Sequence, residues 1–299
     1  MAGTRKGQQL DLRLHLAHSL LADGALSKVD HLLRELLPCW SRDLRVRLDV
    51  RSRSWFSACK RGSLPAAVRR LIRPGQTYAS LLEQYGPGRY ARQTGHATLT
   101  GGYSGVYVFL SLDEWLFMPQ PGRQLFGNTI SIQVSRETVE GTVAAEWLSC
   151  AVARLCEDLD LLYGFAAANR EYYSKNKEGW RMMGLDPSRY LPGLYWMNVF
   201  GRPYVKLIGR RHLMGLPGTI PRQAGAGVLV QFGNDPFAWR SQNYKVATAR
   251  ALDHIGRRYF FDRHARKRQT IAPPFHFESK RLDHGKPPQK GGTLTVEFR

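Results

Sequence analysis

Three groupings in this sequence carry residue types that chemistry uses. Glu278-Ser-Lys280 has the E-x-K spacing of some metal-dependent nucleases, with Asp262 as an earlier carboxylate. Two carboxylates would hold Mg²⁺, and the lysine would stabilise charge developing on a phosphate. Pro273-Pro274 intervenes, however, and three-residue matches arise readily by chance. His254, Asp262 and His264 form a second set, with side chains that ligate metals. A competing reading puts His254 near a helix end, where the dipole favours an exposed cation, and makes Asp262-Arg263-His264 a surface cluster. Thr100-Gly-Gly-Tyr-Ser-Gly105 has the glycine content of a phosphate cradle. It lacks the following Lys-Ser/Thr, and an apolar strand pattern follows where a helix should begin. A hairpin turn accounts for it better. No G-x-S-x-G, H-E-x-x-H or zinc-deaminase pattern occurs. The sequence therefore assigns no catalytic residue, no metal ligand and no cofactor, and a non-enzymatic protein is expected.

Charge points instead to binding. The 299 residues carry 44 Lys and Arg against 24 Asp and Glu, a formal net charge of +20. Of the basic residues 33 are arginine, the better fork for phosphate and carboxylate. Such a field favours nucleic acid, an anionic membrane surface or an acidic protein. The bland alternative is an Arg-rich composition with a solvated face. Arg45, Arg47, Arg51 and Arg53 alternate with Leu44, Val46, Leu48 and Val50, so they are expected to share one exposed strand face. With Arg263, Arg266, Lys267 and Arg268 they make the candidate contact for an anionic partner. Aromatics at Tyr172, Tyr173, Trp180, Tyr195, Trp196 and Phe200 lie among Lys175, Lys177, Arg181 and Arg189, the mixture of a single-strand stacking platform. Alternate aromatics also line cores. Trp196 and Phe200 read as core, and Tyr172 and Tyr173 stay open.

The elements that would position these residues follow from periodicity. Leu10, Leu12, Leu14 and Leu16 alternate with polar residues, a strand with one face buried and one wet. Val29, Leu32, Leu33, Leu36, Leu37 and Trp40 share a helix face, with Ser27 as its cap. Strand patterns return at 44–50, 106–110, 130–134, 194–200 and 227–232, and helix patterns at 139–160 and 241–258. Pro203 suits the start of a short helix. Strands and helices intermix without regular β-α repeats. This predicts an α+β fold, a mainly antiparallel sheet with packed helices. A single large domain over 1–262 and a basic Pro/Gly-rich tail over 263–299 are expected. Cys39, Cys59, Cys150 and Cys156 have neither C-x-x-C nor metal spacing, and four are too few for a disulfide scaffold in so long a chain. A reducing cytoplasm is the expected compartment. The first residues lack an apolar signal core, and no apolar run reaches the ~18 residues that a spanning helix needs, so no membrane partner is expected.

One segment is more specific. In Gly184-Leu-Asp-Pro-Ser-Arg-Tyr-Leu-Pro-Gly-Leu-Tyr-Trp-Met-Asn-Val-Phe-Gly-Arg-Pro-Tyr-Val-Lys-Leu-Ile-Gly209, a strand bearing Trp196 and Asn198 leads into Phe200-Gly201-Arg202-Pro203. A short helix ending at Gly209 comes next. This order resembles the bacterial type VI secretion immunity family of α+β proteins, with compatible patterns over roughly residues 40–262. The resemblance implies a protein that neutralises a toxin or effector by stoichiometric binding, and the positive charge makes an acidic protein the expected partner. The residues that carry it read as structural: Gly201 permits the turn, Pro203 opens the helix and Gly209 ends it. Nucleic-acid binding through the Arg-rich surface is the alternative, and a metal-dependent nuclease is a third reading.

Overall fold

The computed structural model describes residues 8–17, 24–36, 43–50, 53–60, 66, 97–103, 106–112, 117–120, 123–126, 129–142, 145–178, 181–182, 189–262 and 270–273. In chain order the strands are β1 (Gln9–Leu16), β2 (Asp43–Val50), β3 (Arg53–Lys60), β4 (Ala97–Tyr103), β5 (Val106–Leu112), β6 (Phe117–Gln120) and β7 (Arg123–Phe126). They continue as β8 (Thr129–Ser135), β9 (Leu161–Ala168), β10 (Lys177–Glu178), β11 (Arg181–Met182), β12 (Met197–Phe200), β13 (Ile220–Ala224) and β14 (Gly227–Gln231). The helices are α1 (Ala25–Leu36), α2 (Arg136–Thr142), α3 (Ala145–Asp158), α4 (Asn169–Asn176), α5 (Arg202–Ile208), α6 (Arg210–Met214) and α7 (Gln242–Ile255).

Ten strands form one sheet in the order β13-β14-β12-β9-β1-β8-β5-β4-β2-β3. Every described pairing between its strands is antiparallel. The α+β, mainly antiparallel expectation holds. β4 and β5 pair from Ala97↔Leu112 to Tyr103↔Val106, the hairpin expected at the glycine-rich segment.

β1 lies between β8 and β9, in mid-sheet. Its leucine row is buried, as the alternation predicts, but the other row is not wet: Asp11 and His15 are buried too. α4 covers that side, with the Arg13 guanidinium 4.5 Å from the Tyr172 ring centre. β9 is buried at every position, so its sequence LLYGFAAA carries no alternation to detect. The cross-strand pairs Arg13↔Phe165, Phe165↔Asn198 and Asn198↔Val230 run across one face of the sheet. α4, α5 and α7 cover this aromatic face, through Tyr172 on Phe165, Tyr204 on Tyr163, and Tyr244 on Phe232. α3 lies on the opposite, aliphatic face, where Arg222 of β13 reaches the Cys150 sulfur at 2.9 Å, and α1 packs on α3.

Local capping explains several boundaries. Ser241 caps α7 by accepting a hydrogen bond from the Tyr244 backbone N–H. Ser135 does the same for α2 through the Thr138 N–H. The single helix expected over 139–160 is instead two, α2 and α3. α1 begins at Ala25, so Ser27 sits in its first turn and not at its cap. Within the expected tail, the Ile271 N–H donates to the Arg258 carbonyl at 2.9 Å and Pro273 is buried, so the chain packs back on the body there.

Candidate functional site

The segment from Leu194 to Gly209 is built around the end of β12. Trp196 and Phe200 are fully buried, as their spacing predicts. The Trp196 indole N–H donates to the Gly233 carbonyl at 3.1 Å, and the Phe232 N–H donates to the Trp196 carbonyl at 2.7 Å. Asn198 is buried and clamps its own strand entry. Its Oδ1 accepts from the Tyr195 N–H at 3.0 Å and its Nδ2 donates to the Tyr195 carbonyl at 2.8 Å. An amide is the one side chain of this length that supplies both a donor and an acceptor.

Gly201 serves a purpose that the sequence does not disclose. Its φ of −70° suits any residue. A Cβ there would lie 1.8 Å from the Leu161 carbonyl oxygen and 2.5 Å from that of Leu162, so space, not turn conformation, demands glycine. Pro203 lies in the first turn of α5, where its missing N–H costs nothing. Gly209 has φ 102°; its N–H ends α5 on the Val205 carbonyl, and its own carbonyl accepts from Leu213 in α6.

Beside this segment lies a polar cluster that sequence reasoning missed. Glu171 on α4 is fully buried. Its Oε1 accepts from Lys175 Nζ at 2.5 Å and from the Tyr244 hydroxyl at 2.7 Å, while Oε2 is buried without a hydrogen-bond partner. Lys175 also donates to the Leu194 carbonyl at 2.7 Å. Asn176 donates to the Tyr195 hydroxyl, which donates to the Pro192 carbonyl. Burial first, then the neighbouring Tyr172 and Tyr163 for Tyr195 and Glu171 for Tyr244, push both hydroxyls well above the ordinary phenol range, so both stay protonated donors. The cluster ties α4 to α7 and to the entry of β12. Its only local signature was Glu171 and Lys175 at i,i+4. Tyr172, left open by the sequence, is buried against Phe165 and Tyr195, whereas Tyr173 is 40% exposed.

The arginine row is divided. Arg45 and Arg47 lie on β2, but the chain then reverses, so Arg53 opens β3 opposite Val50 instead of extending the row. Arg51, Arg263, Arg266, Lys267 and Arg268 lie outside the described residues, as do Trp180, Glu278, Lys280 and His264. His254 stacks on His212 with ring centres 4.0 Å apart. His212 Nε2 lies 2.6 Å from the His254 carbonyl oxygen, and His254 Nε2 lies 3.1 Å from that of His212. Among the described residues, no three His, Cys, Asp or Glu side chains gather as a metal site. Nor, among them, is any helix long and apolar enough to cross a membrane.

No family model matches the chain, and no curated protein matches it. Among solved structures, a Pseudomonas aeruginosa T6SS protein aligns with 87% of this chain and 86% of its own, at 13% identity and a TM-score of 0.43. A likeness of that size assigns neither family nor activity.

Proposed function

We propose that this protein is an immunity-like binding protein that neutralises a toxin or effector by stoichiometric occlusion, without a cofactor and without catalysing a reaction. The observation that carries this reading is the Trp196–Gly209 segment. Buried Trp196, the Asn198 clamp, the crowded Gly201 and the Gly209 helix break occur in the order by which the sequence resembles the type VI secretion immunity family. The buried Glu171–Lys175–Tyr244 cluster fits the same reading, because it fixes helices against the sheet. The net charge of +20 supports an acidic protein as the partner. Cys150 and Cys156 are free thiols, in keeping with action in a reducing cytoplasm.

Co-expression tests the proposal. The product of the neighbouring gene, made alone in a sensitive host, should act as a toxin and arrest growth, and this chain should restore growth while co-purifying with it in a fixed ratio. Arrest without rescue and without a complex would remove the immunity reading. The same charge supports a second reading, nucleic-acid binding through arginines. That reading predicts affinity for random duplex with a logarithmic salt slope of about 0.9 per phosphate neutralised.

A further inference from the structure

Charge is not spread evenly over the two sides of the sheet. On the aliphatic side, α3 and the residues after it to Asp160 carry Arg154 against Glu146, Glu157, Asp158 and Asp160, a net −3 (1 minus 4). On the other side, α5, α6, α7 and the turn Arg257–Tyr259 carry eight Lys and Arg against Asp253, a net +7 with histidines neutral (8 minus 1). Between Arg189 and Asn234 the chain has no acid at all. A coat of mixed sign needs no explanation. A layer of one sign repels itself and favours a partner of the other sign.

Part of this charge is used inside the fold. Arg210 donates to the Ala226 carbonyl at 2.8 Å and to the Gly227 carbonyl at 3.2 Å. Arg257 pairs with Asp253 at 2.6 Å and also feels Asp262. Arg211 and Arg250 differ: both are exposed, and among the described residues neither has an ion-pair partner.

One contact brings these two arginines together. His212 of α6 and His254 of α7 stack with ring centres 4.0 Å apart. Each Nε2 faces the other residue's carbonyl, at 2.6 and 3.1 Å. A carbonyl only accepts, so each ring carries its hydrogen on Nε2, and the two bonds lock the helices reciprocally. Arg211 adjoins His212 in the chain, about 4 Å away between Cα atoms. Arg250 lies one turn before His254, on the same face of α7. Both unpaired guanidinium groups therefore extend from one fixed junction, which removes part of the ordering cost of binding.

We infer that the α6–α7 junction is where the protein partner docks its carboxylates, with Arg211 and Arg250 as the contacts and the His212–His254 stack as their support. The occupant that fits is an acidic protein segment, whose carboxylates match arginine forks one at a time. A nucleic-acid backbone is a continuous line of phosphates, and Asp253 and Asp262 beside Arg257 would repel it at that end. The inference rests on the binding reading above and adds the place and the chemistry.

A random-peptide phage library selected on the full chain at physiological salt tests it without needing the natural partner. Enriched peptides should be rich in Asp and Glu. Arg211→Glu and Arg250→Glu, each at an exposed position, should weaken the best synthetic peptide at least about tenfold. Lys28→Glu, an equal charge change on α1, should weaken it by less than about threefold. A thermal melt checks that each variant is folded. The inference is overturned if no acidic peptide is enriched, if Arg211→Glu and Arg250→Glu bind like the parent, or if all three variants lose affinity equally. It is also overturned if a random DNA duplex displaces the peptide at the same salt. None of these outcomes bears on whether the chain rescues a host from the neighbouring gene's product, so the two proposals fail separately.

Discussion

Trp196→Ala removes the largest fully buried side chain in the described core. The cost has two parts. Lost transfer energy and the cavity left behind are together about 3–5 kcal/mol for a buried Trp. The broken hydrogen bond adds little, because the Gly233 carbonyl still accepts from Gln231 Nε2 at 2.6 Å and is not orphaned. An orphaned buried acceptor would have added about 1–3 kcal/mol more. Trp196→Phe keeps most of the volume and loses the indole N–H, so it should cost less than about 2 kcal/mol. Denaturant titration of the three proteins at equal m-value reads these differences, and a thermal melt should show Trp196→Ala lower by on the order of 10 °C. A Trp196→Ala midpoint within error of the parent would refute the packed core around β12. If Trp196→Phe costs as much as Trp196→Ala, the hydrogen bond and not the cavity dominates, and the reasoning is wrong in the other direction.

Gly201→Ala should destabilise by more than about 3 kcal/mol, since the new methyl meets the Leu161 and Leu162 carbonyls. At Gly209→Ala the new methyl meets only the His212 Cβ, at an ordinary contact distance of 3.8 Å, and backbone strain at φ 102° remains, so about 1–2 kcal/mol is expected; equal costs in chemical denaturation would contradict the crowding argument. His15 is held neutral, its pKa pushed down to about 3 by burial first and by Arg13 second. The unfolded chain binds that proton at about 6.5, so stability is fully present above pH 6.5 and is lost as pH falls toward 3. Asp11 acts with the opposite sign: burial raises its pKa, so its penalty grows as pH rises above the usual carboxylate value of 3.8. His15→Gln should therefore flatten the loss of stability between pH 6.5 and 4, and an unchanged slope would argue against the buried neutral imidazole. Purified protein with Mg²⁺ or Mn²⁺ should leave DNA and RNA intact; cleavage abolished by Glu278→Ala and by Lys280→Ala would promote the nuclease reading.

Much of the fold was legible because many strands alternate. β1, β2 and β8 each show leucine, valine or isoleucine at every second position, and the structure places strands there. β9 was illegible for the same physical reason. Buried on both faces, it has no polar row to set its period, and it is the strand on which β1 and β12 both pair. The short β13 is an edge with Pro221 and Arg222, and gives no apolar pattern either. In the candidate site, Trp196 and Phe200 were readable as core from spacing, and Pro203 and Gly209 as helix boundaries. The role of Gly201 was not, because its crowding comes from backbone carbonyls forty residues earlier. Glu171 was equally hidden: its partner Tyr244 is 73 residues away, and periodicity carries no information about such pairs. The turn after Val50 was missed because Arg51 and Arg53 continue the alternation of β2 through the reversal.

The most direct test of the proposed binding account is calorimetric titration of the neighbouring gene's product into this chain, at low and at physiological salt, beside a random DNA duplex. A desolvated protein interface should keep its affinity and its fixed stoichiometry as salt rises, with the main loss in association rate. Duplex binding should fall steeply over the same range. Saturable, salt-resistant binding of the protein with the duplex signal gone at physiological salt is the predicted result. Duplex binding that survives physiological salt, with no heat from the neighbouring gene's product at either salt, would contradict it.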